Sequence, residues 1–362
     1  MHKKITYCLL MLMILLVLST SACVDQRKTE DQQNSRNISD MAGRTVVIPN
    51  DINKVVATSP PTTMLIYMLA PEKLAGWNFV PEEPDKYLTP EYSTLPVIGG
   101  WFGKQDGNYE SIISICPDII FEGYNSGEDI DSTINARQEK FGTIPVVGIE
   151  SNIDVMTYED SIEFMGGVLG EDERAEHLIR FYKTSLNTVT TKVSEIPLNE
   201  RKRVYYAEGT AGLQTDSKGS SHSQLIEVCG GINVAECPFL EGYGRTEISI
   251  EQILKWNPDV IITGDSTFYN NIYSDHIWQN ITAVKDHEIY LVPNAPFCWF
   301  DRPPGINRII GISWTAKILY PEKFKNIDLN DLIKEFYSEF YHYELTDNEI
   351  DKMLFPDCIS EQ

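Results

Sequence analysis

Glu110-Ser-Ile-Ile-Ser-Ile-Cys-Pro117-Asp118-Ile-Ile120 returns later in the chain as Glu251-Gln-Ile-Leu-Lys-Trp-Asn-Pro258-Asp259-Val-Ile261. Each copy reads as a glutamate, a short amphipathic helix, a Pro-Asp stop and an apolar β-branched run. Proline ends a helix, and a strand that is apolar throughout is one buried on both faces, as in a parallel sheet. The spacing of 141 residues therefore implies two similar α/β lobes.

Working outward, each copy has further strand and helix signals around it. The first lobe adds a strand at Val55–Thr58, a helix at Thr62–Leu69, a helix within Ile130–Phe141 and a strand at Val146–Gly148. The second adds Val204–Ala207, a helix at Ser223–Cys229 and a strand at Ile289–Val292. Strands alternating with helices argue for α/β layers. Between the lobes, Ala175, Leu178, Ile179, Tyr182, Leu186, Val189 and Val193 recur at steps of three and four, which is one helix face. Asp172 and Glu173 suit the N-terminus of that helix, where acids complement the dipole. Ending near Ser194, it would be about 35 Å long at 1.5 Å per residue. The fold expected is α/β: two Rossmann-like lobes with parallel-type central sheets, joined by one long helix, with a ligand cleft between them. Helices near Leu329–Phe340 and Thr346–Leu354 are expected to pack on the second lobe.

The N-terminus fixes the compartment. Lys3 and Lys4 precede an apolar run, Ile5–Leu18, too short for a bilayer span of about twenty residues. Small residues then lead to Cys23, the pattern of a secretory signal. A cysteine in that place resembles the lipobox of prokaryotic lipoproteins, although Thr20 stands where that pattern prefers Leu. An ordinary cleaved signal is the alternative. Residues 24–39 are almost wholly polar and read as a disordered tether. The expected organisation is a signal peptide at 1–22, a tether at 23–39, the first lobe at 40–157, a helical connection at 158–196 and the second lobe with the C-terminal helices at 197–362.

A net charge of −23 offers no basic stripe for nucleic acid. Beyond Cys8 and Cys23 the cysteines are Cys116, Cys229, Cys237, Cys298 and Cys358, with no C-x-x-C pair and no zinc-like spacing. A Cys229–Cys237 disulfide is open. No phosphate loop, dinucleotide fingerprint, zinc-protease motif or nucleophile elbow occurs, so the chain reads as a binder. A metallocluster enzyme on a related two-lobe scaffold and a ligand-sensing module are the other classes.

Several blocks carry a family resemblance: Asp40-Met-Ala-Gly-Arg-Thr-Val46, Lys54-Val-Val-Ala-Thr58, the two Glu…Pro-Asp units, Ile226-Glu-Val-Cys-Gly-Gly-Ile-Asn-Val234 and Ala283-Val-Lys-Asp-His-Glu-Ile-Tyr-Leu-Val-Pro293. In that order, from about Met41 to Leu354, they resemble the periplasmic-binding-protein family of iron-complex, haem and cobalamin importers. The resemblance implies an extracytoplasmic solute-binding protein with an ABC permease and its ATPase as partners. It also implies that Glu110 and Glu251, one per lobe, pair with permease arginines. A monomer held at the membrane by lipid on Cys23 is expected.

Ligands of open α/β sheets bind beyond the carboxyl ends of the strands. The loops there offer Trp101 and Phe102 in a glycine-rich stretch, Tyr124 after a strand, His222 entering a helix, Tyr243 and Arg245, and Trp299, Phe300 and Arg302 in Pro296-Phe-Cys-Trp-Phe-Asp-Arg-Pro-Pro304. Flat aromatic faces suit a planar ligand and arginine suits an anionic group. Packing roles stay open: Trp101 or Trp299 under its own loop, Arg302 on Asp301, His222 as a structural hydrogen-bonder. The histidines are scattered, so no resident cofactor and no direct metal ligation is expected, His222 being the one candidate ligand. The cargo expected is a metal chelate, first a ferric siderophore-type complex, with cobalamin, haem or a small nickel or cobalt complex as alternatives.

Overall fold

The computed structural model describes residues 34–125, 127–151, 153–238 and 244–356. The chain opens with an antiparallel hairpin of β1 (Ser35–Ser39) and β2 (Thr45–Pro49). Asp40 closes its turn, accepting from the Arg44 backbone N–H at 2.8 Å and from the Arg44 guanidinium at 2.7 Å. The last residues of the expected tether are thus an ordered strand. Ile38 and Val46 are register partners, and the hairpin amides compensate for the segment's polarity. The remainder of 1–22 and 23–39, including Cys23, lies outside the described residues up to residue 33.

The first lobe is a parallel three-stranded sheet, β3 (Val55–Ala57), β4 (Ile119–Tyr124) and β5 (Val146–Glu150), in order β3-β4-β5. Helix α1 (Pro60–Leu69) follows β3, its prolines filling the first turn where N–H groups lack partners anyway. Helix α2 (Tyr109–Ser114) precedes β4. The second lobe is a parallel four-stranded sheet of β6 (Arg203–Ala207), β8 (Ile232–Asn233), β10 (Val260–Thr263) and β11 (Ile289–Leu291), in order β11-β10-β6-β8. A small antiparallel pair, β7 (Gln214–Thr215) and β9 (Thr246–Glu247), stands beside it.

The repeat has a physical purpose in each lobe. Asn108 caps α2 by accepting from Ser111, and Ser249 caps the helix Ile250–Trp256 by accepting from Gln252. Cys116 and Asn257, each just before the proline, take left-handed φ of 52° and 43° and turn the chain back. Asp118 Oδ2 then accepts from the Asn53 and Lys54 amides at 2.7 and 2.9 Å, and Asp259 Oδ2 accepts from the Arg203 amide at 2.9 Å. The Pro-Asp unit therefore staples the repeat strand to the first strand of its lobe, with Val56 beside Ile120 and Val204 beside Val260.

Helices Tyr158–Leu169 and Asp172–Ser194 connect the lobes, the second spanning 23 residues. A further connection comes from the C-terminus, where the helix Leu329–Phe340 packs against α1 of the first lobe. Tyr67 donates its hydroxyl to the Tyr341 carbonyl at 2.8 Å, and a single core cluster runs from Val55 and Trp77 through Phe297 and Trp299 to Ile350. The C-terminal segment, expected on the second lobe, packs there and on the first lobe as well, because its apolar face is wide enough to serve two partners.

Candidate functional site

At the junction of the lobes lies a cleft of about 470 Å³, within the range of small-molecule sites. Phe79, Val80 and Glu82 form the first-lobe side, and the Glu82 amide donates to the Pro296 carbonyl at 3.1 Å. The second-lobe side comes from the carboxyl ends of its strands. Glu208 and Gly209 directly follow β6, and Gly264 and Asp265 follow β10, where Asp265 caps the next helix on Phe268 at 2.9 Å. Arg245 and the loop Asn294–Pro303 complete the wall.

Arg302 is the hub of that wall. Its Nε donates to Glu208 Oε1 at 2.7 Å and lies 3.1 Å from Asp301 Oδ2, and its Nη2 donates to Asp216 Oδ2 at 2.7 Å. Arg245 Nε lies 3.3 Å from the same Glu208 oxygen. Behind Arg302, His222 Nδ1 and Asp301 Oδ1 are 2.7 Å apart, both residues buried. Burial works to lower the Arg302 pKa, but Asp301 and Glu208 outweigh it and hold the guanidinium charged. Burial, opposed by Arg302 and helped by Asp301 and Asp216, pushes the Glu208 carboxyl up to about 7. Glu208 Oε2 is buried and accepts no hydrogen bond.

Asp216, His222 and Asp301 bring one donor atom each within 4.8 Å of the others, the spacing a metal ion needs. Here the positive charge at that spacing is the Arg302 guanidinium, paired with both aspartates, so the group functions as an ion-pair network.

Of the residues expected to bind, Arg245 and Arg302 line the cleft, and His222 stands one residue behind it. Trp299 and Phe300 present no face to the cleft: both are fully buried. Trp299 donates its indole N–H to Tyr337 at 3.2 Å, and Phe300 packs on Tyr206 at 4.8 Å. The cause is Gly311, where a Cβ would come within 1.8 Å of the Trp299 carbonyl oxygen, so the helix Arg308–Leu319 presses that loop inward. Trp101 packs under its own loop, 4.7 Å from Tyr109 and beneath the Arg137 guanidinium at 3.6 Å. Phe102 is half-buried and bridged to Gln105. Tyr124 ends β4, half-buried, outside the cleft lining. Tyr243 lies outside the described residues. Cys229 and Cys237 are both free thiols.

Sequence reasoning places the loop from Glu208 and Asp265 beyond the ends of strands, but names none of Glu208, Asp216, Asp301 or the Phe79–Glu82 side as binding residues. Glu208 carries one signal, an acid directly after a buried strand. Asp216 and the first-lobe side carry none, since their role depends on which loops the fold brings together.

Known proteins resemble the chain over most of its length. Residues 55–296 match the periplasmic binding protein family. The chain belongs to that family. A solute-binding protein of an ABC transporter from Sulfurospirillum deleyianum has 32% identity and a TM-score of 0.80, covering 88% of this chain and 98% of that one. The molybdate-binding protein MolA of Haemophilus influenzae is 26% identical over 92% of this chain and 95% of its own length. The substrate-binding lipoprotein YvrC of Bacillus subtilis is 25% identical over 83% of this chain and 92% of its own. The protein is thus an extracytoplasmic solute-binding component of an ABC importer, a class that works with a permease and an ATPase. Among the described residues no helix is long and apolar enough to cross a membrane.

Proposed function

We propose that this protein is a lipoprotein, anchored through Cys23, that captures a small metal chelate of neutral or positive outer charge. A ferric hydroxamate-type complex is the first candidate cargo. One observation carries the choice of charge: both cleft arginines are already held by carboxylates, Arg302 by three and Arg245 by Glu208. Among the described residues the lining sets Glu82, Glu208 and Asp265 against Arg245 and Arg302, with no excess of positive charge. A bare oxyanion would have to draw the mostly buried Arg302 from its buried acids, and breaking a buried pair costs about 3–5 kcal/mol, more than a hundredfold in affinity. Glu110 and Glu251, both in the first turns of equivalent capped helices, support the expected pairing with the permease.

MolA favours a second reading, an oxyanion such as molybdate, because the likeness to it runs over 92% of this chain. Calorimetric titration of the purified protein at pH 8 separates the two. Ferrioxamine B, ferrichrome, cyanocobalamin, haemin, nickel-histidine and molybdate form the panel. A ferric chelate binding at micromolar or better, with molybdate at least about a hundredfold weaker, supports the chelate reading. Molybdate as the tightest ligand replaces it with the second, and a flat response to every member defeats both.

A further inference from the structure

The cleft wall contains one carboxylate that serves two arginines at once. Glu208 Oε1 is 2.7 Å from Arg302 Nε and 3.3 Å from Arg245 Nε, while Oε2 is buried with no hydrogen-bond donor. Glu208 is only 4% exposed, yet it lines the cleft together with both arginines. We propose that Glu208 is the charge selector of this cleft: as a carboxylate it engages Arg245 and Arg302 and disfavours anionic ligands, and as a neutral acid it loosens its hold on both, so that the cleft accepts an anion. This rests on the cleft being the ligand site.

The selection is electrostatic. Among the described lining residues a proton on Glu208 changes three acids against two arginines to two against two, and it weakens both contacts made by Oε1. Asp216 and Asp301 still hold Arg302 in place, so the arginine keeps its position while its Nε contact with Glu208 weakens. Arg245, with a third of its side chain exposed, is the more accessible of the two and the one better placed to turn toward a ligand. Among the described residues the other groups acting on Glu208 are Asp216 and Asp301, which favour its neutral form, Tyr205 and Tyr206 on β6, whose hydroxyls burial holds in the neutral form, and Gln214 on β7. Across the cleft stand Glu82 and Asp265, and His222 acts on Glu208 only through Asp301. Burial keeps the Glu208 carboxyl at about 7, which places the change within the range an extracytoplasmic protein meets.

Two small ions of opposite charge test this: molybdate and hexaamminecobalt(III), titrated calorimetrically at pH 8 and pH 6 into the wild-type protein and into Glu208→Gln. For a group titrating at about 7, protonation linked to binding makes molybdate about tenfold tighter at pH 6 than at pH 8. Hexaamminecobalt(III) weakens over the same interval. Glu208→Gln binds molybdate at pH 8 as tightly as the wild type does at pH 6, and its affinity no longer changes with pH. The wild-type measurement stands even if the variant is poorly folded. A pH-independent wild type, a pH dependence that survives in Glu208→Gln, or no binding of either ion overturns the proposal. If a neutral chelate binds while neither ion does, the cleft stays the ligand site and Glu208 loses its role. Silence to chelates and ions alike removes both readings.

Discussion

The two lobes each set a buried glutamate near the end of a central strand against an arginine, and they use the pair differently. In the first lobe Glu122, on β4, lies 3.5 Å from Arg137, whose guanidinium is clamped over Trp101 at 3.6 Å. In the second, Glu208 lies 2.7 Å from Arg302, which two further acids share. Burial pushes both glutamates up to about 7, against the pull of the arginine beside each. What separates them is the surroundings of the arginine. An aromatic clamp fixes Arg137 as part of the fold, whereas a ring of acids on the cleft wall makes Arg302 part of a charge balance that a ligand can alter.

The largest effect should come from breaking the hub. Arg302→Ala leaves Glu208, Asp216 and Asp301 facing one another without their shared cation, and removing one partner of a buried pair costs about 3–5 kcal/mol. Arg137→Ala should cost less, about 1–2 kcal/mol for the lost hydrogen bonding and stacking, because Glu122 accepts a proton near pH 7. Urea unfolding of the two variants at pH 7.5 measures both, and equal losses would erase the distinction between the lobes.

The pH dependence of stability gives the next effect. Glu122 binds its proton more tightly folded than unfolded, so the stabilisation it gives is complete below about 4.5 and is lost as pH rises through about 7. A tenfold difference in proton affinity between the folded and unfolded chain is worth about 1.4 kcal/mol, so Glu122 alone accounts for roughly 2–3 kcal/mol of decline across that window. Glu122→Gln should flatten the wild-type slope of stability between pH 4.5 and 7 by about that amount. An unchanged slope in chemical unfolding would show that Glu122 is ionised in the folded protein.

The smallest effect on stability is expected where the repeat reaches the surface. Glu110→Ala and Glu251→Ala should each change unfolding free energy by less than about 0.5 kcal/mol, the usual range for exposed positions. Both should still depress uptake of the cargo by cells while leaving its binding intact. Uptake at the wild-type rate in the double variant would end the docking role.

The fold is legible in the sequence because the repeat states its own physics. A capped helix, a left-handed turn before proline and an aspartate that staples two strands are all short-range, and they lie in contiguous residues such as Asn108–Asp118 and Ser249–Asp259. The site is legible only in part. Arg245 and Arg302 stand out because charge in a loop after a strand is hard to place elsewhere. Trp299 and Phe300 mislead because an aromatic in a loop looks the same from sequence whether it faces a ligand or a neighbouring helix. Gly311, twelve residues after Trp299, is the available hint of that close approach. Glu82 and Asp216 join the site only through tertiary folding, which no local pattern encodes.

Anomalous diffraction at the iron edge, from crystals of the protein with its tightest ferric chelate, locates the cargo directly. One strong iron peak is expected in the cleft between Val80 and Glu82 on one side and Glu208 and Arg302 on the other, with Trp299 still buried against Tyr337. An iron peak beside Trp101 and Tyr124, away from the Glu208–Arg302 wall, would contradict it.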